Sequence, residues 1–405
     1  MTTTINNKNK KPNVPNLRFP EFQGEWEKCR LGEVCTFLSG GTPKIDVKEY
    51  WNGTIPFVSA ISMHDTYILD SKLHISEEGL KHGSRLLTKN NLLLLVRGSM
   101  LWNTIPICLN KNDVAFNQDV KGIIVNDTIN NEFLLYWLKS KEQRLKYMVT
   151  GTGLGAGKLD TSDLLSMIVY IPAMKEQDKV ARLLSLFDER IAAQNKIIED
   201  LKKLKCAIIE KHYLQAKLHK YKICDLGVPF SVGSLSKEDL SEKGHECILY
   251  GELFTTYDCV INEVKSHTNK IANTTLSQKG DLVFPSSTTV DAVSLISPSV
   301  IDIPNVILGG DMFGIHIDKK FNAYYLSYYI NLIARKKLAI YAKGSTIIHL
   351  HYNDIANAQL LLPDLCEQDI IAKCMIAEDN KIKVEEQLLT KLENQKQYLL
   401  RQMFV

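Results

Sequence analysis

Hydrophobic positions along the 405-residue chain follow two rhythms, and each rhythm is used twice. Short apolar runs bounded by turn residues come first: Ile55-Pro-Phe-Val-Ser59, Leu92 to Val96 and Gly122 to Val125, then Asp281-Leu-Val-Phe284 and Phe313 to Ile317. Their length and their Gly, Pro, Asn and Asp flanks predict strands. Helices are expected from Asn131 to Met148 and from Asn322 to Ala339. A Gly-rich turn, a small helix after Asp163 or Asp354 and an apolar strand ending at Pro172 or Pro363 close each globular part. Beyond each proline the rhythm changes. Residues 175–214 and 366–405 contain neither Gly nor Pro. Leu184, Phe187, Ile191, Ile198, Leu201 and Ile208 fall on heptad a and d positions of the first stretch, and Met375, Ile382, Leu389, Leu392, Leu399 and Met403 mark the seam of the second. A helix of about 40 residues is ~60 Å long and needs a partner for its apolar stripe. The other copy, packed antiparallel, is the simplest partner; the plainer alternative is an amphipathic helix lying on its own domain.

The doubling is an internal repeat. Lys158-Leu-Asp-Thr-Ser-Asp163 aligns with His349-Leu-His-Tyr-Asn-Asp354, and Glu176-Gln177-Asp178 with Glu367-Gln368-Asp369, at a constant separation of 191 positions. The same register pairs Asp188 with Asp379, Lys205 with Lys396 and Tyr213 with Phe404. Earlier parts match with drifting offsets: Cys29-Arg-Leu-Gly32 with Cys224-Asp-Leu-Gly227, Phe57 to Asp65 with Tyr250 to Asp258, and Asp119 to Ile123 with Asp311 to Ile315. The predicted fold is α+β: two similar mixed α/β domains separated by two long helices packed as an antiparallel coiled coil, with a pseudo-two-fold internal repeat. The expected boundaries are a tail at 1–25, a first head at 26–172, a spacer helix at 173–217, a second head at 218–363 and a second spacer helix at 364–405.

Composition narrows the class. Hydrophobic residues make up 45% and charged residues 23%, as in ordinary globular proteins. The net charge of +3 is too small to name a partner. No apolar window is long enough to span a membrane, and Met1 to Lys11 has no apolar signal core, so a cytoplasmic protein is expected. Nine cysteines without a CxxC pair read as reduced, semi-buried thiols. No Pro-Pro dipeptide and no GxxxxGK[ST] loop occurs. Gly151-x-Gly153-x-x-Ala156 follows a helix, not the strand a dinucleotide site needs, and His349-x-His351 lacks further metal ligands. No catalytic residue and no metal site is assigned.

Two similar heads with divergent loops on a fixed spacer suit a partner that is itself regularly spaced, and DNA half-sites are such a partner. The chain resembles the specificity subunit of Type I restriction–modification systems along essentially its whole length. The residues that carry the resemblance are Leu17-Arg-Phe-Pro-Glu-Phe22 with Glu25-Trp26 and Leu31-Gly32; Ser39-Gly-Gly-Thr-Pro-Lys44; Lys343-Gly-Ser-Thr-Ile347 with His349-Leu350; and the Ile-Pro and Leu-Pro steps before each Glu-Gln-Asp helix. Gly151-Thr-Gly-Leu-Gly-Ala-Gly157 departs from the pattern of the second half. The resemblance implies a non-catalytic subunit whose heads each read half of an asymmetric bipartite site in double-stranded DNA. It implies helices that set the gap and dock two modification subunits carrying S-adenosylmethionine, joined by two restriction subunits that use ATP and Mg. The competing readings are the recognition part of a self-contained restriction–methylation enzyme and a coiled-coil scaffold that binds no DNA.

Base and phosphate contacts need paired donors, hydroxyls and exposed amides. Candidates in the first head are Lys44, Ser59, Ser62, His64, Arg85, Arg97, Ser99, Asn117, Gln118 and Lys158. Those in the second are Lys237, Thr255, Thr256, Tyr257, Ser286, Ser287, Thr288, Thr289, Lys343, Ser345, Thr346 and His349. The Gly-rich turns at Lys158 and His349 are favoured because their amides can meet phosphate oxygens. Each candidate has a plain reading too: a surface Lys is often just a solvated charge, Ser286 to Thr289 also suits a turn, and Arg97 also suits a buried ion pair. The stretch from Lys196 to Lys222, with eight Lys against three acidic residues, reads as a solvated helix face, the alternatives being contact with DNA backbone or with acidic patches on the partner subunits.

Overall fold

The computed structural model describes residues 13–153 and 155–405, so residues 1–12 of the expected tail and Leu154 of the first Gly-rich turn lie outside the described residues. The chain divides into two units, residues 1–195 with 388–405, and residues 196–387. The two long helices are Met174–Gln215 and Leu365–Gln402. Each unit takes a segment of both.

The units share one topology. In the first, a five-stranded sheet runs in the order Cys35–Ser39, Val120–Val125, Leu92–Leu95, Ile107–Asn110, Tyr67–Ile68. In the second, Gly227–Ser231, Met312–Ile317, Asp281–Pro285, Ser299–Ile301 and Val260–Ile261 occupy the same places. Both sheets are antiparallel except for their last pair, which is parallel in each. A second sheet is built around Ile55–Val58 beside Val114–Phe116, and around His245–Leu249 beside Ile307–Gly309, again parallel. Leu92–Leu95 is buried at all four positions because both faces of its sheet are covered, which removes the alternation a half-exposed strand would show.

Strand pairing corrects part of the repeat alignment. Arg30 pairs with Ile168 and Lys222 with Gln359, so the fully buried Leu31 corresponds to Ile223. Cys29 then corresponds to Tyr221 rather than Cys224. Chemical similarity misleads over short strings, whereas hydrogen-bond register does not. The expected helix Asn131 to Met148 breaks at Lys141 into Asn131–Ser140 and Glu142–Tyr147. Its counterpart keeps turning through a π-helical segment, Ile330–Ala334, between Ala323–Tyr329 and Arg335–Ala339. The small helices start ahead of Asp163 and Asp354, at Thr161 and Tyr352.

The duplicated Glu-Gln-Asp string docks each head onto its long helix. Asn130 caps the helix that follows it by accepting from the Phe133 amide at 3.0 Å. Buried Gln177 accepts from the Asn130 amide at 2.7 Å and donates to the Pro172 and Thr128 carbonyls, while Asp178 accepts from the Asn130 side chain. Asn322, Gln368, Pro363 and Asp369 repeat the arrangement in the second unit. Among the described residues only the first unit adds a clamp from the segment before its head: Arg18 donates to Glu176 from Nε and Nη2, each at 2.8 Å, and Trp26 Nε1 donates to the same carboxylate.

A second duplicated device joins the two helices within each unit. In the first unit Tyr136 donates to Asp188 at 2.8 Å, and Lys396 pairs with the same carboxylate. In the second, Tyr328 donates to Asp379 and Lys205 pairs with it. Lys202–Glu386 and Lys205–Asp379 show the helices running antiparallel in the second unit. Burial pulls Lys205 toward its neutral form, but the hydrogen bond and charge of Asp379 outweigh this and hold its pKa above the ordinary value. Burial pushes the Cys35 and Cys108 thiols up to about 12, so they pack as neutral groups, and all nine cysteines are free. Among the described residues no helix is long and apolar enough to cross a membrane.

Asp379→Asn keeps a partner for Tyr328 but strands the Lys205 ammonium, and should cost about 1–3 kcal/mol in urea denaturation. Because the folded pKa of Lys205 is raised, the loss should be constant from neutral pH up to about pH 10 and fade as pH rises through the folded value. Equal stabilities of the two proteins at neutral pH would show that the pair carries no weight.

Candidate nucleic-acid interface

The structure gathers the favoured residues on one small three-stranded sheet in the first head. Thr150–Gly151, Gly157–Lys158 and Arg97–Gly98 pair antiparallel, so that Thr150, Lys158 and Arg97 stand in one cross-strand row. All three are exposed. The row rests on the core: Leu159 donates its amide to the Val96 carbonyl at 2.8 Å, and Val96 donates to the Asp119 carbonyl. Gly157 has no room for a side chain, since a Cβ there would lie 2.7 Å from Val149 and 3.1 Å from Leu101. The Gly-rich turn beyond it is braced by Trp102, whose Nε1 donates to the Gly155 carbonyl at 3.0 Å, and by Thr152, which donates to the Ala156 carbonyl.

The second head builds the same row from different residues. Lys343 and His349 exchange both backbone hydrogen bonds, and Ser287 pairs with His349 from the other side. The row thus reads Lys343, His349, Ser287. Gly344 turns the chain at φ +113°, where a Cβ would sit 2.1 Å from the Ile347 carbonyl. Lys343 pairs with Asp354 at 2.5 Å. That bond, with the His351 amide, holds the Asp354 carboxyl below the usual range. In the first head the lysine of the row has a looser partner: Lys158 lies 3.7 Å from Asp160, whose pKa is lowered first by Ser162.

Sheet topology brings other candidates to the same end of each five-stranded sheet. In the first head the loop after Ser39, the Asn117–Asp119 turn and Arg97–Ser99 emerge together, because Lys121 pairs with both Ser39 and Leu94. Thr42 donates to Gln118 at 2.7 Å, and Gly40 and Gly41 let this loop lie against Phe116 and Gly83, which places Lys44, Arg85 and Gln118 on neighbouring loops. His64 precedes the parallel edge strand at that end. In the second head Lys237, Thr255, Thr256, Tyr257, Thr288 and Thr289 take corresponding positions, with exposed Ser345 and Thr346 in the Gly344 turn.

Several candidates are already committed within the fold. Ser286 is only 3% exposed; its amide donates to the Asp311 carbonyl and its carbonyl accepts from Leu350, so it supports the row rather than facing solvent. Ser287 is in the row but only 8% exposed, so the accessible hydroxyls nearby are those of Thr288 and Thr289. Ser62 bonds Ser71, Asn117 bonds Asp119, and Thr255 bonds the Gly251 carbonyl. Tyr257 is half-buried and accepts from the Lys265 amide. Half-buried Ser59 precedes a short 3-10 turn. Arg97 is exposed, not in a buried ion pair. Sequence reasoning missed Thr150 and Trp102; no sequence signal links Trp102 to the glycine-rich turn, 53 positions away, and only strand pairing places Thr150 in the row.

Gly344→Ala should open the second turn at a cost of about 1–3 kcal/mol. The Lys343 and His349 amides should then exchange faster with solvent in hydrogen-exchange measurements, while those of Lys158 and Leu159 stay unchanged.

Comparison with known proteins agrees with this duplicated arrangement. The Type I restriction modification DNA specificity domain family matches residues 23–203 and 223–394. The specificity subunit of the Type I restriction enzyme EcoR124I/EcoR124II of Escherichia coli is 31% identical over 174 residues, covering 42% of this chain and 43% of that one, so this match spans under half of the relative. The MjaVIII specificity subunit of Methanocaldococcus jannaschii is 26% identical over 412 residues, covering 95% and 92%. The S subunit of a Type I restriction–modification system from M. genitalium has the same fold, with a TM-score of 0.62 at 17% identity over 97% of this chain and 99% of that one. A chain from a structural study of complex assembly and conformational transition in a type I system superposes with a TM-score of 0.54 at 14% identity, over 93% and 96%.

Proposed function

The chain belongs to the Type I restriction–modification DNA specificity family, and from that membership we propose that each head reads one half of an asymmetric bipartite site in double-stranded DNA. The observation that carries this is the pair of equivalent cross-strand rows, Thr150–Lys158–Arg97 and Lys343–His349–Ser287, built on one topology but from different side chains. A common frame suits a common ligand, and unlike side chains suit unlike half-sites.

The chain recognises DNA; chemistry belongs to its partners in this proposal. The two long helices fix the gap between half-sites and dock two modification subunits, which bring S-adenosylmethionine and methylate adenine. Two restriction subunits add ATP- and Mg-dependent cleavage, and the assembly works in the cytoplasm. The expected head limits, 26–172 and 218–363, mark the segments to exchange in testing this.

The test is a methylome. The modification subunit is expressed in a methylation-free host with and without this chain, and methyladenine is mapped by single-molecule sequencing. A bipartite motif with a fixed gap should appear only when this chain is present. Exchanging residues 26–172 for a relative's head should change one half of the motif, and lengthening the first long helix should change only the gap. A motif that changes in both halves on head exchange would falsify independent reading. DNA affinity of the complex should also fall steeply with salt, as phosphate contacts require; a flat response would favour a protein scaffold.

A further inference from the structure

We propose that Arg97, flanked by Lys158, reads a guanine in the half-site bound by the first head. This rests on the two-head reading above and names a base within it. Arg97 and Lys158 are directly opposite each other on adjacent antiparallel strands, and both are exposed. Like charges in that relation repel and weaken a strand pair. Among the described residues no hydrogen bond or ion pair engages the Arg97 guanidinium, and the carboxylate near Lys158 is the capping Asp160 at 3.7 Å. The pair is therefore a cationic fork, offset only in part by Asp160, whose repulsion falls further when acceptors sit between the two side chains.

The fork is held in place before any ligand arrives. Val96, immediately before Arg97, is hydrogen-bonded on both sides, to Asp119 and to Leu159, and the four residues before it are buried. Gly157 lets Lys158 approach because no Cβ fits there. Such a rigid support lowers the ordering cost of binding.

Two features of DNA offer paired acceptors: the O6 and N7 atoms of guanine in the major groove, and a backbone phosphate. The comparison of heads favours the base. Phosphates are the same in every half-site, so a phosphate clamp could be kept in both heads, which share the strand framework of this row. The row instead changes from Arg97 and Lys158 to Ser287 and His349. Variation at equivalent positions of an unchanged frame is what base reading of two unlike half-sites requires.

The experiment maps methyladenine made by the complete methyltransferase complex carrying wild-type chain, Arg97→Ala or Arg97→Lys. The wild-type motif should hold a guanine in one half, and Arg97→Ala should reduce the preference for it by about 10–100-fold while leaving the other half intact. Arg97→Lys, which keeps the charge but loses the planar fork, should fall between the two. The melting temperature of Arg97→Ala should be no lower than wild type, since the substitution removes a repulsion. A wild-type motif lacking guanine, or a variant motif identical to wild type, overturns the proposal and leaves the two-head reading standing. So does a sequence-independent loss of binding with a salt slope smaller by about one, the mark of a phosphate contact. Absence of any bipartite motif from the wild-type complex would instead remove the reading on which the proposal rests.

Discussion

The rest of the structure depends on a carboxylate that each repeat lends to a lysine of the other. Asp188 and Asp379 are equivalent in the repeat, as are Lys205 and Lys396, yet Asp188 pairs with Lys396 and Asp379 with Lys205. A tyrosine from the head, Tyr136 or Tyr328, donates to the same carboxylate. Three groups from three segments therefore meet at one point in each unit. None of them is freely hydrated: the lysines are only 12–15% exposed, and burial drives both tyrosine hydroxyls far toward their neutral form. Partial burial makes the loss of any one partner costly, because the others are left without water to replace it. The network ties a head to its own long helix and that helix to the other within each unit.

Gln177 and Gln368 act beside it. Each spends its amide on the capping asparagine of a head helix and on the proline carbonyl that ends the last strand. A single residue type thus fixes where the strand stops, where the long helix starts and how the head helix lies across both. That rigidity allows the far end of each five-stranded sheet to vary. Loops there change length and composition between heads, while Leu92–Leu95 and Asp281–Pro285 beneath them stay fully buried.

The functional row illustrates how divergence is accommodated. In the first head a glycine-rich turn is propped from below by Trp102; in the second, Gly344 makes a shorter reversal against the Ile347 carbonyl. Lys343 is neutralised by Asp354, whereas Arg97 has no such partner among the described residues. The same backbone pairing thus presents a tightly paired cation in one head and, in the other, a fork of two cations with one loosely placed carboxylate.

The amino-acid sequence by itself determined the repeat, the α/β heads, the long helices and the family resemblance, because these rest on periodicities and strings many residues long. It also pointed to Arg97, which interrupts an apolar strand, and to Lys158, Lys343 and His349, since turns with clustered glycines expose backbone and their flanks. What only the tertiary structure decided depends on pairing across distant segments. The correspondence of Leu31 with Ile223, the burial of Ser286, the brace under the first turn and the cross-strand row containing Thr150 are examples. A serine beside other hydroxyls looks accessible in one dimension. Whether it faces solvent depends on which strand lies over it, and strand register is set by hydrogen bonds between residues tens of positions apart.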